Sequence, residues 1–345
     1  MVRIRKIWLG AILSLACGAS ARAAMIINIA AGSSGTAFTG QALAAAQAAA
    51  SSWESLFSNN ITITVQMSFA SLGGGILGSA STMEVLDGYS DVSSRLNAQS
   101  SQPGKSALAN LPSASTLMST TLPAGYTVAN TAGVPNLLLS TADAKALGIS
   151  VSVPYDATIE LATGYYPGYL TGSLAGSSYD FQSVVTHELG HALGFISGED
   201  QVDMDLHQGS TSASIFLTPL DLFRFAGAVP GDFMNTARDL YPATGAQVLS
   251  NGVTTYQAST GAYTGDGYQA SHWLETAPAI GVMQPALGGS PQGITPGDIW
   301  AFQMIGYDLA APEPGTVIFT AFGVAGLVVF AWRRRAATSH RSLNR

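Results

Sequence analysis

Between Val184 and Phe195 the chain reads VVTHELGHALGF, and His187, Glu188 and His191 within it have the types and spacing to hold and use a metal ion. Residues four apart lie one turn above each other on the same helical face, so both imidazoles reach a single ion. Glu188 follows His187 directly, where its carboxylate reaches a water beside the ion instead of the ion itself, the place of a general base in metal-assisted hydrolysis. A catalytic zinc takes three protein ligands and keeps a fourth position open. Of the remaining histidines, His340 lies near the C-terminus beyond a long apolar run, which leaves His207 and His272 as candidates for the third ligand. The compact spacing H-E-x-x-H-x-x-G-x-x-H would put that ligand at residue 197, where the chain has Ser197.

The elements that must position these groups can be read in part. Phe181, Val184, Val185, Leu189, Ala192 and Leu193 give the motif helix an apolar side, Asp180 is placed to cap it, and Gly194 can end it with a positive φ. Upstream, Met25 to Ala30 is a β-rich run. Gly40 to Phe57 has Leu43, Ala46, Ala50, Trp53 and Phe57 at helical spacing, with Trp53 a core residue. Ile61, Ile63, Val65, Met67 and Phe69 alternate as a half-buried strand, which Gly73-Gly74-Gly75 breaks; no GK[ST] follows, so the glycines are not a phosphate loop. From Ser81 to Ser150 the chain is rich in Ser, Ala and Thr, with short helical patterns over Val92 to Ala98 and over Ala142 to Leu147, the latter capped by Thr141. Thr158 to Leu161 is β-prone and is the expected edge strand for pairing with an extended peptide. Glu199 to Asp205 holds four acids and reads as a solvated acidic loop, with Ca2+ as a lesser alternative because hard cations want several carboxylates. Thr218-Pro219-Leu220-Asp221 predicts a capped helix running through Leu222, Phe223 and Phe225. Thr295-Pro296-Gly297-Asp298 predicts a last helix with Ile299, Phe302 and Ile305 inward and Gly306 as its stop. A strand, helix, strand unit opens the domain, and the expected fold class is α+β.

Composition bounds the function. Of 345 residues, 47% are apolar and only 10% charged, ample for a core and low for a cytosolic protein. Arg3, Arg5 and Lys6 precede an apolar run from Ile7 to Ala16, and Ala21-Arg22-Ala23 offers small residues for cleavage, so residues 1–23 read as a secretory signal peptide. The single cysteine, Cys17, lies inside it, which leaves the exported body without thiol or disulfide. Between this leader and Phe330 five basic residues face all 21 acids, about −16, and such a surface disfavours a nucleic-acid partner.

At the other end Pro312-Glu313-Pro314 introduces an uncharged apolar run from Gly315 to Trp332, followed by Arg333-Arg334-Arg335. Eighteen residues at about 1.5 Å each reach roughly 27 Å, enough for a transmembrane segment with the arginines cytoplasmic. Motif, span and basic cluster resemble the PEP-CTERM sorting signal of Gram-negative bacteria, which implies recognition by an exosortase-type enzyme and delivery to the surface or extracellular matrix. The expected organisation is signal peptide 1–23, catalytic domain 24–311, sorting and membrane segment 312–335 and basic tail 336–345.

HELGHALGF, the distant Ser271-His272-Trp273, the turn Gly281-Val282-Met283-Gln284-Pro285 and the closing helix that reads IWAFQMIGY resemble the leishmanolysin-type metzincins, in which an insertion separates the helix glycine from the third histidine. The resemblance implies a metzincin-like fold with a twisted mixed sheet and a C-terminal helix after a Met-turn. It implies one catalytic Zn2+ on His187, His191 and His272, Glu188 as base and Met283 as the floor beneath the metal. No tyrosine after Met283 is assignable as an oxyanion donor. His207 sits only sixteen residues past His191 among acids that can pair it without a metal, whereas His272 is followed closely by the methionine turn. The expected activity is hydrolysis of protein or peptide substrates by an exported zinc endopeptidase, cell-surface, membrane-anchored or extracellular after processing. The alternative is a non-catalytic surface or matrix protein that keeps a structural metal site.

Overall fold

The computed structural model describes residues 24–166, 179–286 and 291–310. Residues 1–23, read above as a signal peptide, and the apolar C-terminal run lie outside these residues. Among the described residues no helix is long and apolar enough to cross a membrane.

The first described strand, β1 (Ile26–Ala31), is followed by a short β2 (Thr36–Ala37), a helix α1 (Gly40–Glu54) and a long strand β3 (Thr62–Ala70). β3 lies parallel to β1 with Ile26 opposite Thr62, so α1 is the crossover between them. Ile63, Val65, Met67 and Phe69 are buried, as their alternation requires. The helix stops at Glu54, short of Phe57, whose backbone instead bridges to Leu309 near the end of the domain. Trp53 is fully buried and its indole donates to the Thr186 carbonyl at 3.0 Å.

Two further strands, β4 (Gly78–Thr82) and β5 (Ala157–Ala162), complete a mixed sheet in the order β1-β3-β5-β4. The sequence expectation of an edge at Thr158–Leu161 is corrected here, because that run is part of β5 and is interior. β3 pairs with it in parallel and β4 antiparallel, the latter with Gly78 opposite Leu161. Ala157, Ile159 and Leu161 are buried and need neighbours on both sides. The edge falls to β4, whose Gly-Ser-Ala-Ser-Thr carries no large apolar side chain.

The Ser/Ala/Thr-rich region folds as an antiparallel pair, Glu84–Gly88 with Val134–Ser140, backed by short helices at Tyr89–Ala98, Ala114–Met118 and Thr141–Ala146. The last of these is capped by Ser140, whose hydroxyl accepts from Asp143 N at 3.1 Å; the Thr141 hydroxyl donates to Asp156 instead.

The motif helix α2 (Phe181–Ala192) packs on α1 and along β4. Beyond it the acidic segment is a second helix, α3 (Glu199–His207), not a loop. Thr218-Pro219 starts only a 3-10 turn, Leu220–Phe223, after which the chain extends as β6 (Arg224–Ala226). A helix would carry Arg224 away from its carbonyl partners. The extended backbone lets its guanidinium donate to Ser259 O at 3.0 Å and Ala270 O at 2.6 Å. β6, β7 (Gln247–Ser250) and β8 (Thr255–Ala258) form a small antiparallel sheet. The last helix, α4 (Pro296–Ile305), has the expected capping box at Thr295 and Asp298 and stops at Gly306, φ +124°. Phe302 and Ile305 point inward as expected, Ile299 is only half-buried, and Trp300 takes a buried place beside it. The chain is thus a mixed α+β protein. Its two parts meet in an aromatic core, Trp53 on Phe302 at 4.7 Å and Phe195 on Trp273 at 4.9 Å between ring centroids.

The domain closes where Ser58 N donates to Asp308 O and Ala310 N to Leu56 O, both at 2.8 Å, and where buried Lys105 meets Asp308 at 2.6 Å. All these anchors precede residue 312. Deleting residues 312–345 is therefore expected to leave the melting temperature of the purified protein within about 2 °C of the full chain, since surface changes away from packed features stay within about 0.5 kcal/mol; collapse of the calorimetric transition would show that the apolar run belongs to the core.

Candidate metal centre

α2 is held at its start by Asp180, whose carboxylate accepts from Ser183 N at 2.7 Å, and is released at its end by Gly194 at φ +117°. These fix the face on which His187 and His191 stand. His272 arrives from the other part of the chain and completes the group. The three Nε2 atoms lie 3.1 Å apart for His187 and His191, and 3.2 Å apart for His187 with His272 and His191 with His272. Metal–nitrogen bonds of about 2.0–2.1 Å at tetrahedral angles separate ligand nitrogens by roughly 3.3 Å, so the triangle has the size of one face of a tetrahedral site. Among the described residues this is the group able to hold a metal ion.

The opposite ring nitrogens are also committed. His187 Nδ1 lies 2.7 Å from Val282 O, His191 Nδ1 2.8 Å from Phe195 O and His272 Nδ1 3.1 Å from Gln269 O. Each carbonyl can only accept, so each Nδ1 carries the proton and each Nε2 presents its lone pair to the common centre. Burial keeps the rings neutral. It pushes His187 down to about 3 and His191 down to about 4, each relieved slightly by its carbonyl bond, and holds His272 well below the usual histidine range. Neutral imidazoles with converging lone pairs are the donor set that zinc takes, and the residues fit the ion.

Glu188 is buried, and burial alone pushes its carboxyl up to about 8. A cation at the triad would favour the ionised form and draw that value down. The carboxylate lies against the edge strand: a Cβ on Gly78 would stand 2.6 Å from Glu188 Oε1. Gly78 was not singled out from sequence, and no local pattern marks it, because the contact spans the fold. Met283 is fully buried against Gly190, where any side chain would collide with its sulfur, so the methionine packs against the last turn of the motif helix.

One carboxylate ties this turn to the site. Asp298 of the last helix's capping box accepts from Val282 N at 2.9 Å, Met283 N at 3.3 Å and the Trp273 indole at 2.8 Å. Val282 in turn receives His187, and Trp273 follows His272. Sequence reading found Asp298 as a cap and missed this second role.

His207 is not in the group; it is exposed at the end of α3 and stacks on Tyr263 with centroids 4.0 Å apart. Ser197, at the compact-spacing position, donates its hydroxyl to Asp221 at 2.6 Å. The acids considered for Ca2+ diverge. Glu199 receives Gln247, Asp200 receives Ala270 N, Asp203 receives Tyr263 N, and Asp205 receives Gln201. Tyr307, the tyrosine after Met283, donates its hydroxyl to Leu193 O at 2.7 Å inside the core and is not available to substrate.

Residues 310–335 match the PEP-CTERM protein-sorting motif family. The chain therefore carries the signal that marks a protein for export in a Gram-negative bacterium and for recognition by an exosortase-type sorting enzyme. No curated protein and no solved structure matches the chain.

His272→Ala is expected to lose stoichiometric zinc and to melt lower when metal is supplied, whereas His207→Ala keeps both; metal analysis and calorimetry of the two purified variants decide this, and the reverse order would remove His272 from the site. The metal-free protein gives a second check. A carboxyl raised in the folded state to about 8 from 4.5 means that the folded chain binds more protons between those values, so stability falls as pH rises through that window. Glu188→Gln is expected to abolish that part of the decline, read as the difference between the two apo-proteins' melting temperatures from pH 4.5 to 8.

Proposed function

We propose that the chain is an exported zinc endopeptidase of metzincin-like build. The observation that carries the reading is the convergence of three neutral imidazoles on one point, with a buried carboxylate beside them and, among the described residues, the outermost strand of the mixed sheet alongside. His187, His191 and His272 would hold the ion, which when bound would supply Lewis acidity toward a peptide carbonyl. Glu188 takes the proton of the attacking water on its carboxylate and delivers it to the amine nitrogen that leaves. With the ion in place the carboxylate is favoured in its ionised form, able to accept the proton, and its position beside the triad lets it pass that proton to the more basic amine. Val282, Phe195 and Gln269 carbonyls keep the imidazoles in the tautomer that binds metal. Met283 supports the helix from below.

The substrate is a protein or peptide in extended form. Among the described residues β4 is an outer strand of the mixed sheet, and it touches Glu188 at Gly78, so a strand added there passes the base. Gly78→Val would push the carboxylate aside. The sorting motif supports export of the protein, and in this reading the segment 312–335 would hold it in the membrane until processing and leave it at the surface or in the matrix afterwards.

The alternative, a matrix protein with a structural metal, makes the same site inert. A quenched-peptide library with zinc supplied, beside a chelated control, separates the two. Cleavage that depends on zinc is expected, and Glu188→Ala is expected to keep one zinc while losing about 10²–10⁴-fold in turnover, the scale of a general base. One bound zinc with no peptide cleaved by the wild-type chain would favour the inert reading, and retained cleavage by Glu188→Ala would remove this mechanism.

A further inference from the structure

We infer that the acidic helix α3 is the positioning element of the third histidine: Asp200 and Asp203 clamp the loop that delivers His272, and without them the triad opens. The inference rests on the metal-centre reading above and adds residues that lie outside it.

The loop between Ser259 and His272 is Thr-Gly-Ala-Tyr-Thr-Gly-Asp-Gly-Tyr-Gln-Ala-Ser, with little to bury; Tyr263 is 53% exposed. A segment of that composition has no hydrophobic reason to hold one conformation. The loop closes on itself through Thr260 with Asp266 and Gly261 with Tyr268, and carboxylates on one face of α3 tie it to the rest of the fold. Asp203 accepts from Tyr263 N at 2.9 Å and from Thr264 N and Oγ1 at 2.7 Å each. Asp200, one turn earlier, accepts from Ala270 N at 2.6 Å, from Ser271 N at 3.2 Å and from the Ser271 hydroxyl. The first clamp fixes the near limb of the loop and the second the two residues before His272.

The fit is close. Gly261 passes Asp203 so tightly that a Cβ would stand 2.7 Å from its Cγ, and φ +146° there suits glycine. Ala270 is held from both sides, its N–H by Asp200 and its carbonyl by Arg224, which lies 3.1 Å from Glu199 at the start of the same helix. Ser271 Oγ also accepts from Ser197 N at 3.0 Å, so the residue where the compact spacing would have a ligand now helps to hold the distant one. Asp205, on the same helix, only accepts from exposed Gln201.

A metal ligand on a clamped backbone binds without ordering a loop at the moment of binding, and partners beyond the ligands are typically worth 10–100-fold in metal affinity. The test uses the full chain, Zn2+ in competition with a chelator, and Co2+ as a spectroscopic probe. Asp200→Ala and Asp203→Ala are each expected to weaken zinc binding 10–100-fold and to change the intensity of the cobalt d–d bands, while Asp205→Ala stays within twofold of wild type. Asp203→Asn, which keeps Oδ1 as an acceptor for Thr264 N, is expected to recover part of the affinity. Wild-type zinc affinity and cobalt spectra in both alanine variants would overturn the inference. So would metal-free variants that no longer fold by circular dichroism, because positioning a ligand loop leaves the apo-fold standing. If the wild-type chain takes up no zinc at all, the metal-centre reading falls and this inference with it; if wild type binds zinc, His272→Ala does not, and both alanine variants bind as wild type does, this inference alone falls.

Discussion

Three imidazole nitrogens within 3.2 Å of one another, each presenting a lone pair, repel unless an ion lies between them, and the protein must hold them there by other means. Two histidines come from one helix and cost the fold little, since their spacing sets their separation. The third comes from a segment 81 residues away, and most of the polar architecture serves to bring it in. Asp298 binds the turn at Val282 and Met283 and the indole that follows His272, so the His272 segment, the methionine and the last helix are tied to one carboxylate. Because Val282 O also receives His187, a displacement of that turn is felt by a ligand on the other part of the chain.

The charge distribution has the same logic. The body has few cations, and three of them, Lys105, Arg224 and Arg238, are buried to 0% exposure. Lys105 pairs with Asp308, and Arg224 sits between Glu199 and the loop carbonyls. Arg238 donates to the carbonyls of Leu222, Phe233 and Thr236 and lies over the rings of Phe225 and Phe233. Many acids face inward as well, and they act as acceptors for backbone N–H groups: Asp156 for Thr64, Asp221 for Gly198 and Thr218, Asp298 for Thr295. A carboxylate that collects several N–H donors stitches irregular chain that has no sheet or helix to satisfy it. That role suits a protein without disulfides and with long segments rich in Ser, Gly and Ala.

The edge of the mixed sheet shows how tightly fold and site are joined. β4 can lie beside the motif helix only because Gly78 leaves room for the Glu188 carboxyl, and the absence of large apolar side chains on that strand lets it end the sheet without inviting further strands from the core side. The methionine beneath the helix depends in the same way on Gly190, one residue before His191. Two glycines thus set the distances above and below the histidines.

What could be read from sequence was local. Asp180, the four-residue histidine spacing, Gly194 and the Thr295–Asp298 box each act within one turn of helix, where geometry follows from position along the chain. The alternation in β3 and the sorting motif at residues 310–335 were legible for the same reason. The readings that failed depended on partners far along the chain. Thr158–Leu161 has the composition of a strand, but whether it is an edge is decided by β4, whose Ala80 lies opposite Ile159 from far earlier in the chain and is invisible to any window around it. Thr218-Pro219 looks like a helix start, yet Arg224 is drawn into extended backbone by the carbonyls of Ser259 and Ala270. Glu199–Asp205 looks solvated because it is charged; its helix forms against a loop that supplies N–H donors only after the chain has returned. His272 over His207 was inferred from sequence by resemblance and surroundings, but the contacts of Asp298, Asp200 and Asp203 with the residues on either side of His272 exist only in the folded chain. Spacing along a helix is determined by covalent geometry, and so the sequence fixes it alone; the meeting of segments tens of residues apart is determined by burial and hydrogen bonding among them, and only the tertiary structure decides it.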